Sequence, residues 1–317
     1  MSSPAKKIIK IILPLILGGF LVWYSLSKIS VETLVQYFKD ANYLWIALGL
    51  FFGILSHLSR AYRWKFLLEP MGYKPDFGNS VMAVLVAYLV NYAVPRAGEV
   101  SRAAVMANYE DIPFEKGFGT IVAERMADLL MMLSIILITL FLQFDFIYEL
   151  LTKNFDPLKI GILLAGLVLI FMIFTRFVKK ATSGIGLKIK IFVVGLIEGV
   201  TSIFKMKHKW TFIFHTVFIW VMYVLMFWAT IPAIDGLQVP LGGVLIGFIA
   251  GGFAIAATNG GIGLYPVAVA GALALFGIAE EPATAFGWIM WTAQTAMIIV
   301  FGGLAFVCLP IYNKNSK

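Results

Sequence analysis

Six apolar stretches recur along the chain, at roughly 8–27, 43–66, 119–146, 158–178, 210–232 and 284–310. As a helix, each is long enough to cross a hydrocarbon layer of about 30 Å at about 1.5 Å per residue. Composition agrees with that reading. The 317 residues are 61% hydrophobic and only 13% charged, against about 25% charged in soluble domains. So few charges cannot cover a soluble surface. The expectation is an all-α polytopic membrane protein with about six transmembrane helices. It forms one integral membrane domain over 1–317 and leaves no room for a large soluble domain. Lys6, Lys7 and Lys10 precede an apolar run from Ile11 to Tyr24, as in a signal peptide. No cleavage site of small residues follows, so the stretch reads as a retained span.

Two further apolar stretches behave differently. Residues 77–94 run into "PRAGE" and 242–257 run into "TNGGIG", and each break is followed by a shorter apolar piece, 100–107 and 266–278. Half-helix, break, half-helix is the pattern of a re-entrant hairpin. Irregular backbone at membrane depth is tolerated only where it is buried in protein or faces a wet cavity. The breaks are assigned to Asn91, Pro95 and Gly98 in the first hairpin. In the second they are assigned to Asn259, Gly260, Gly261, Gly263, Tyr265 and Pro266.

Charge placement supports hairpins over full spans. With the N-terminus cytoplasmic and each hairpin returning to its own side, all but four of the 25 basic residues fall on the inside. The four outside are Lys28, Lys39, Lys153 and Lys159. This is the positive-inside bias, and it puts both termini in the cytoplasm. Had both hairpins been full spans, the basic run Lys179–Lys209 would have flipped outside. The first hairpin then enters from the cytoplasmic face and the second from the opposite face. Two oppositely oriented interrupted segments suggest an inverted repeat of a transporter, with halves at about 43–146 and 158–310. Residues 30–44, with Leu34, Val35 and Phe38 on one face, and 188–205 read as helices lying along the bilayer surface. Trp23, Trp45, Trp64, Trp210 and Trp288 fall near segment ends, where anchoring aromatic belts form. Cys308, the single cysteine, reads as a small core residue.

Three charged clusters lie where charge is costly. "RAYRW" supplies Arg60 and Arg63 one turn apart. "PRAGEVSR" supplies Arg96, Glu99 and Arg102 every three residues, on one face of a short helix after the break. "AERMAD" supplies Glu124 and Asp128 at i and i+4, with Arg125 beside them. Arginine stays charged and presents a planar fork suited to phosphate. All eight are candidates for binding a lipid headgroup. The carboxylates either hold the arginines apart or meet a cationic headgroup. Snorkelling anchors and buried ion pairs are the competing readings for the same residues. The glycine-rich turn of the second hairpin carries no charge, and its amides suit either a ligand or plain packing.

Enzyme signatures are absent from this pattern. His57, His208 and His215 are isolated, and there is no HExxH motif, no P-loop and no cysteine cluster. Glu124 and Asp128 alone are too few for a convincing metal site. The reading is a non-enzyme with no cofactor and no metal.

"RAYRW", "NYAVPRAGEVSR", "ERMAD" and "GGIG" together resemble the lysylphosphatidylglycerol synthase transmembrane region, a flippase-like module also found alone in membrane proteins. The resemblance covers nearly the whole chain. It implies a lipid-handling domain with re-entrant helices that moves aminoacylated or other anionic lipids between leaflets. The matching positions are Pro95, Arg96, Gly98, Glu99, Arg102, Glu124, Arg125 and Asp128. Two departures bear on function. The chain reaches Lys317 without the soluble transferase domain of the full-length synthases, so lipid aminoacylation is not expected. Many relatives place an acidic residue just after the glycine-rich turn, where this chain has Tyr265 and Pro266. That departure leaves a lysyl-lipid substrate open. The function expected is a transporter or flippase for an anionic phospholipid, an aminoacylated lipid or a polyprenyl-phosphate-type carrier. The alternatives are a membrane enzyme acting on lipid-linked phosphate or sugar, and a non-transporting scaffold. Membrane lipids are the expected partners and nucleic acid is not. A homo-oligomer stays open, and the bacterial inner membrane is the expected location.

Overall fold

The computed structural model describes residues 16, 18–94, 96–154, 156–180, 182–184, 186–187, 190 and 206–314. Among the described residues the ordered elements are all helical. In chain order they begin with α1 (18–26), α2 (Val31–Asp40), α3 (Tyr43–Leu68), α4 (Phe77–Ala93), α5 (Gly98–Tyr109) and α6 (Phe114–Leu142). They continue with α7 (Phe144–Asn154), α8 (Pro157–Lys180), α9 (Lys209–Thr230), α10 (Leu241–Ala257), α11 (Leu264–Ala274) and α12 (Glu280–Tyr312). The helices α3, α6, α9 and α12 are long and apolar enough to cross a membrane. Helix α8 covers the stretch 158–178. The expected first span is described only at its C-terminal end. The surface helix expected over 188–205 and the break residue Pro95 lie outside the described residues, apart from residue 190. The protein is an all-α polytopic membrane protein.

Local sequence explains several helix starts. Ser30, Asn42 and Asp76 each turn a side-chain oxygen onto a backbone amide of the following turn, Thr33, Leu44 and Asn79 respectively. Each cap thereby satisfies one of the amides a helix leaves without a partner at its start. Helix α2 presents Leu34 to the protein, with Tyr37 and Phe38 packed beside it. Val35, expected on that face, is exposed instead, because its neighbour along the exposed row is Val31, four residues earlier.

The chain divides into two compact units. One comprises residues up to Glu124 and from Trp210 onward, and the other Arg125–Lys209. In the second unit, Gln143 carries the end of α6 into α7, and α7 packs on α8. Its Leu137 and Phe141 are exposed, as lipid-facing side chains are.

The first unit is built around two helical hairpins. In the first, α4 and α5 run antiparallel. Gly98 lies against Ala87 and Asn91 at the closed end, while Val105 and Tyr109 pack with Met82 and Val86. At the open end, the Glu110 carboxylate accepts from the Asp76 amide at 3.1 Å and from the Asn79 side chain. The hairpin therefore returns to the level at which it began. In the second, α10 and α11 are also antiparallel, with Gly251 against Tyr265, Gly247 against Leu273 and Gly243 against Phe276.

The two open ends lie at opposite ends of the unit. Asn313, at the end of α12, exchanges amide hydrogen bonds with Asn79 at 2.7 and 2.8 Å. Trp64 and Leu68, at the end of α3, pack there with Ala83, Ala103, Met106 and Ile112. The start of α3 is tied to the other end, where the Asn42 amide donates to Ala233 O at 2.8 Å. The first half of α12 packs on the start of α11, toward the tip of the second hairpin, with Gly287 against Pro266.

The two tips meet. A Cβ on Gly260 would lie 2.5 Å from the Tyr92 ring, and Gly260 has φ +64°. Trp291 Nε1 donates to Gly260 O at 2.8 Å, and the Tyr92 hydroxyl contacts Thr295 Oγ1 at 3.3 Å. Trp291 and Thr295 stand a third to nearly half of the way along the 33 residues of α12. The tips thus lie deep within the length of a spanning helix, about 17–23 Å from its start.

Two groups of aromatic and sulfur residues differ from expectation. Trp23, Trp45 and Trp210 are exposed, as belt residues should be. Trp64 and Trp288 are buried, their indole N–H groups donating to Thr120 Oγ1 at 2.8 Å and Ser25 Oγ at 3.0 Å. An internal hydroxyl satisfied each ring, so neither needed the interface. Cys308 is exposed on α12 rather than in the core, because that face of the helix carries Leu304, Val307 and Ile311 outward.

Candidate functional site

The three arginine clusters separate into different environments. Arg63 on α3, Arg102 on α5 and Glu124 on α6 come together with side chains 0%, 2% and 0% exposed. Arg63 Nε lies 3.4 Å from Glu124 Oε1, and Arg102 Nη1 donates to Glu124 Oε2. Arg63 also donates to Thr216 Oγ1 at 2.9 Å and faces the Phe212 ring. The Arg102 guanidinium stacks 3.7 Å above the Trp64 ring. Trp64 in turn donates to Thr120, whose hydroxyl donates to Gly117 O at 2.7 Å. One carboxylate between two guanidiniums ties α3, α5, α6 and α9 at the open end of the first hairpin. Buried charge is tolerated only where it is paired and hydrogen-bonded, as here. Of the alternatives the sequence left open for these three residues, the geometry is that of a buried structural ion pair. Arg60 is also buried, 3% exposed, one turn before Arg63.

Arg125 and Asp128 pair with each other in the second unit, at 3.3 Å. Glu124 and Asp128, the candidate metal pair, are thus each engaged by arginine. Among the described residues no three His, Cys, Asp or Glu side chains cluster as for a metal ion.

Arg96 is different. The spacing of Arg96, Glu99 and Arg102 suggested one helical face, but α5 begins only at Gly98, with Ala97 as its N-cap. Arg96 therefore precedes the helix, in the left-handed region at φ +60°, with its side chain exposed. For a non-glycine residue this conformation is uncommon and costs about 1–2 kcal/mol. Helix α4 runs through Asn91 to Ala93, so Asn91 is not itself a break. Its Oδ1 accepts from Gly98 N at 2.7 Å and pins the start of α5 against the end of α4. That close approach explains Gly98, since a Cβ there would lie 2.1 Å from Ala87 O. Half-buried Glu99 stands in the first turn of α5, where a carboxylate suits the helix dipole.

The second tip is a turn at 258–263, with Gly260, Gly261 and Gly263 at positive φ. Tyr265 and Pro266, expected among the breaks, belong to the first turn of α11 and are buried. A proline there loses no helical hydrogen bond, because the first-turn amides have no partner within the helix. Both α5 and α11 therefore start at the meeting tips, with their positive dipole ends there.

The other end of the unit is acidic. A cleft of about 340 Å³ is lined by Gln36, Tyr37, Asp40, Asp235 and Glu281, among others. Tyr37 donates to Glu281 at 3.3 Å and Gln36 to Asp40 at 2.8 Å. Burial, and then the neighbouring Glu281, push the Tyr37 phenol above its ordinary pKa. Sequence reading missed this cleft. Its residues are scattered over about 250 positions and carry no motif.

The model of the lysylphosphatidylglycerol synthase transmembrane region matches residues 11–302. The chain belongs to that family. Among curated proteins it is similar to a UPF0104 membrane protein from Methanocaldococcus jannaschii, 28% identical over 125 residues. That match covers 38% of this chain and 37% of the relative. It is also similar to the glycosyltransferase AglD of Haloferax volcanii, 28% identical over 103 residues, or 32% of this chain and 16% of the relative. The matched stretches thus span well under two thirds of either relative's length. No solved structure matches. Of the positions that carried the sequence resemblance, Gly98, Arg102 and Glu124 hold the first hairpin together, and Arg96 stands at its tip.

Proposed function

We propose that this protein moves a lipid bearing a phosphate or other oxygen-rich headgroup between the leaflets of a membrane. The observation that carries the reading is the meeting of two oppositely directed helical hairpins, with exposed, backbone-strained Arg96 at one tip. Read in a bilayer, each hairpin is re-entrant, one from each face, as in an inverted-repeat transporter. The tips then mark the depth at which access passes from one side to the other. Strain held at such a place is a sign of function rather than of stability. Arg96 supplies a permanent positive charge beside the start of α5, where an anion is favoured. The family's name points toward lipid chemistry, and that of the AglD relative toward glycosyl transfer. The positive-inside count supports a cytoplasmic position for the Arg63–Glu124–Arg102 lock.

The test uses purified protein in vesicles containing a fluorescent anionic phospholipid. Inner-leaflet lipid should become accessible to a membrane-impermeant quencher with the native chain. With Arg96→Ala the rate should fall at least tenfold while the thermal transition persists. Equal rates for native chain and variant would overturn the role of Arg96. No transport by the native chain across anionic, aminoacylated and glycosylated lipids would overturn the reading itself.

A further inference from the structure

We propose that a buried cluster of His57, Tyr88, Trp220 and Tyr223 binds the headgroup of the carried lipid through oxygen atoms, and that this headgroup is anionic or hydroxylated rather than cationic. The proposal rests on the carrier reading above and names its substrate class.

His57 is 6% exposed and its Nδ1 makes no hydrogen bond. Trp220 is 9% exposed and its Nε1 makes none either. The two rings flank Tyr223, with centroids 6.2 and 6.1 Å from it. His57 also packs on Tyr88 at 4.5 Å, and the Tyr88 and Tyr223 hydroxyls are 3.1 Å apart. Helices α3, α4 and α9 thus bring two rings with orphan nitrogens against the same tyrosine, whose hydroxyl meets that of Tyr88. His57 and Trp220 each lie about midway along their helices. Buried polar groups in native proteins are hydrogen-bonded almost without exception, and two unsatisfied nitrogens on one cluster are therefore informative. At membrane depth water is scarce and the cost of leaving them so is greatest.

The donor chemistry selects the ligand. An indole N–H can only donate, so the partner of Trp220 must be an acceptor. Phosphate oxygens and sugar hydroxyls both qualify, and an ammonium group does not. None of the four residues is a carboxylate, while Arg60 stands one turn from His57 on α3 and is itself buried. With no carboxylate among the four, the cluster has nothing to pair with a lysyl or other cationic headgroup. Phe248, packed on Trp220 at 6.4 Å, extends an aromatic wall suited to the apolar face of a sugar ring or to the first carbons of an acyl chain.

The experiment uses the full chain in detergent micelles and in vesicles, with three probes: phosphatidylglycerol, a neutral monoglucosyl diacylglycerol and lysylphosphatidylglycerol. Retention is read by native mass spectrometry and by the rise in Tm on adding lipid. The native chain should retain phosphatidylglycerol or the glucosyl lipid at least tenfold better than the lysyl lipid. Whichever of the two is preferred identifies the acceptor as phosphate or as hydroxyl. Trp220→Phe and His57→Leu should each cut that retention at least fivefold and abolish the lipid-induced rise in Tm. The lipid-free Tm should stay the same or increase, because each change deletes an unsatisfied polar atom. A lower lipid-free Tm with retention intact would make the cluster structural and overturn the proposal, and so would a preference for the lysyl lipid. If the native chain transports lipid and both variants match it in retention and rate, the site falls and the carrier reading stands. If the native chain transports none but retains lipid in a way that needs Trp220, the carrier reading falls and the site stands.

Discussion

Replacing Glu124 by Gln tests what the central arginines do. The substitution keeps shape and volume but removes the negative charge that Arg63 and Arg102 share, whose side chains are 0% and 2% exposed. Breaking a buried ion pair by deleting one partner costs about 3–5 kcal/mol, because the remaining charge is left uncompensated. Here two guanidiniums lose their shared acceptor, so the upper part of that range applies. At about 1.4 kcal/mol per tenfold, the ratio of folded to unfolded protein should fall by roughly a thousandfold or more. Arg63→Met should be milder. It leaves Arg102 and Glu124 balanced one to one and forfeits the Thr216 bond and the Phe212 contact, about 1–3 kcal/mol. Thermal unfolding in mild detergent, followed by tryptophan fluorescence and by size-exclusion profile, gives both values. The reasoning fails if Glu124→Gln is as stable as the native chain, or if Arg63→Met is the more damaging. A third outcome is equally decisive. If Glu124→Gln keeps its Tm and loses lipid movement, the carboxylate meets the substrate and is not a structural tie.

Arg96→Gly should gain about 1 kcal/mol by relieving the left-handed backbone at φ +60°, while losing lipid movement; a Tm and a quenching assay on one preparation show both. Gly98→Ala should cost about 2–3 kcal/mol or more, since its Cβ would meet Ala87 O at 2.1 Å, and should appear as protein lost from the monodisperse peak. Gly260→Ala combines positive φ with a Cβ placed 2.5 Å from the Tyr92 ring. A double-mutant cycle with Tyr92→Ala should therefore be less than additive, leaving only the backbone part of the cost. Asn313→Ala should lose about 1–3 kcal/mol, because it strands the buried Asn79 amide at the open end of the first hairpin.

Much of the architecture was legible in the chain because hydropathy acts locally. The stretches at 43–66, 119–146, 210–232 and 284–310 correspond to α3, α6, α9 and α12. The two interrupted segments are antiparallel helix pairs, with breaks beside Gly98 and at Gly260–Gly263. The breaks themselves were located less well. Asn91 is helical and acts by capping Gly98, and Tyr265 and Pro266, read as part of the break, already belong to the first turn of the returning helix. A proline looks alike in sequence whether it precedes a helix or opens it. The periodicity that placed Arg96 with Glu99 and Arg102 failed for a similar reason: a three-residue spacing defines a face only once the helix has begun.

The amino-acid sequence by itself determined that this chain lies in a membrane, that it is helical, and that two of its segments turn back. Those properties follow from the free energy of burying backbone and apolar side chains, which is nearly additive along the chain. The fate of each charge was decided only by tertiary structure. Whether Arg102 grips a ligand or Glu124 depends on where a helix 22 residues away crosses it. His57 became a candidate only when Tyr88, Trp220 and Tyr223 arrived from two other helices around it. Pairwise electrostatics and hydrogen bonding act over a few ångströms in space. The sequence that specifies those distances does not display them.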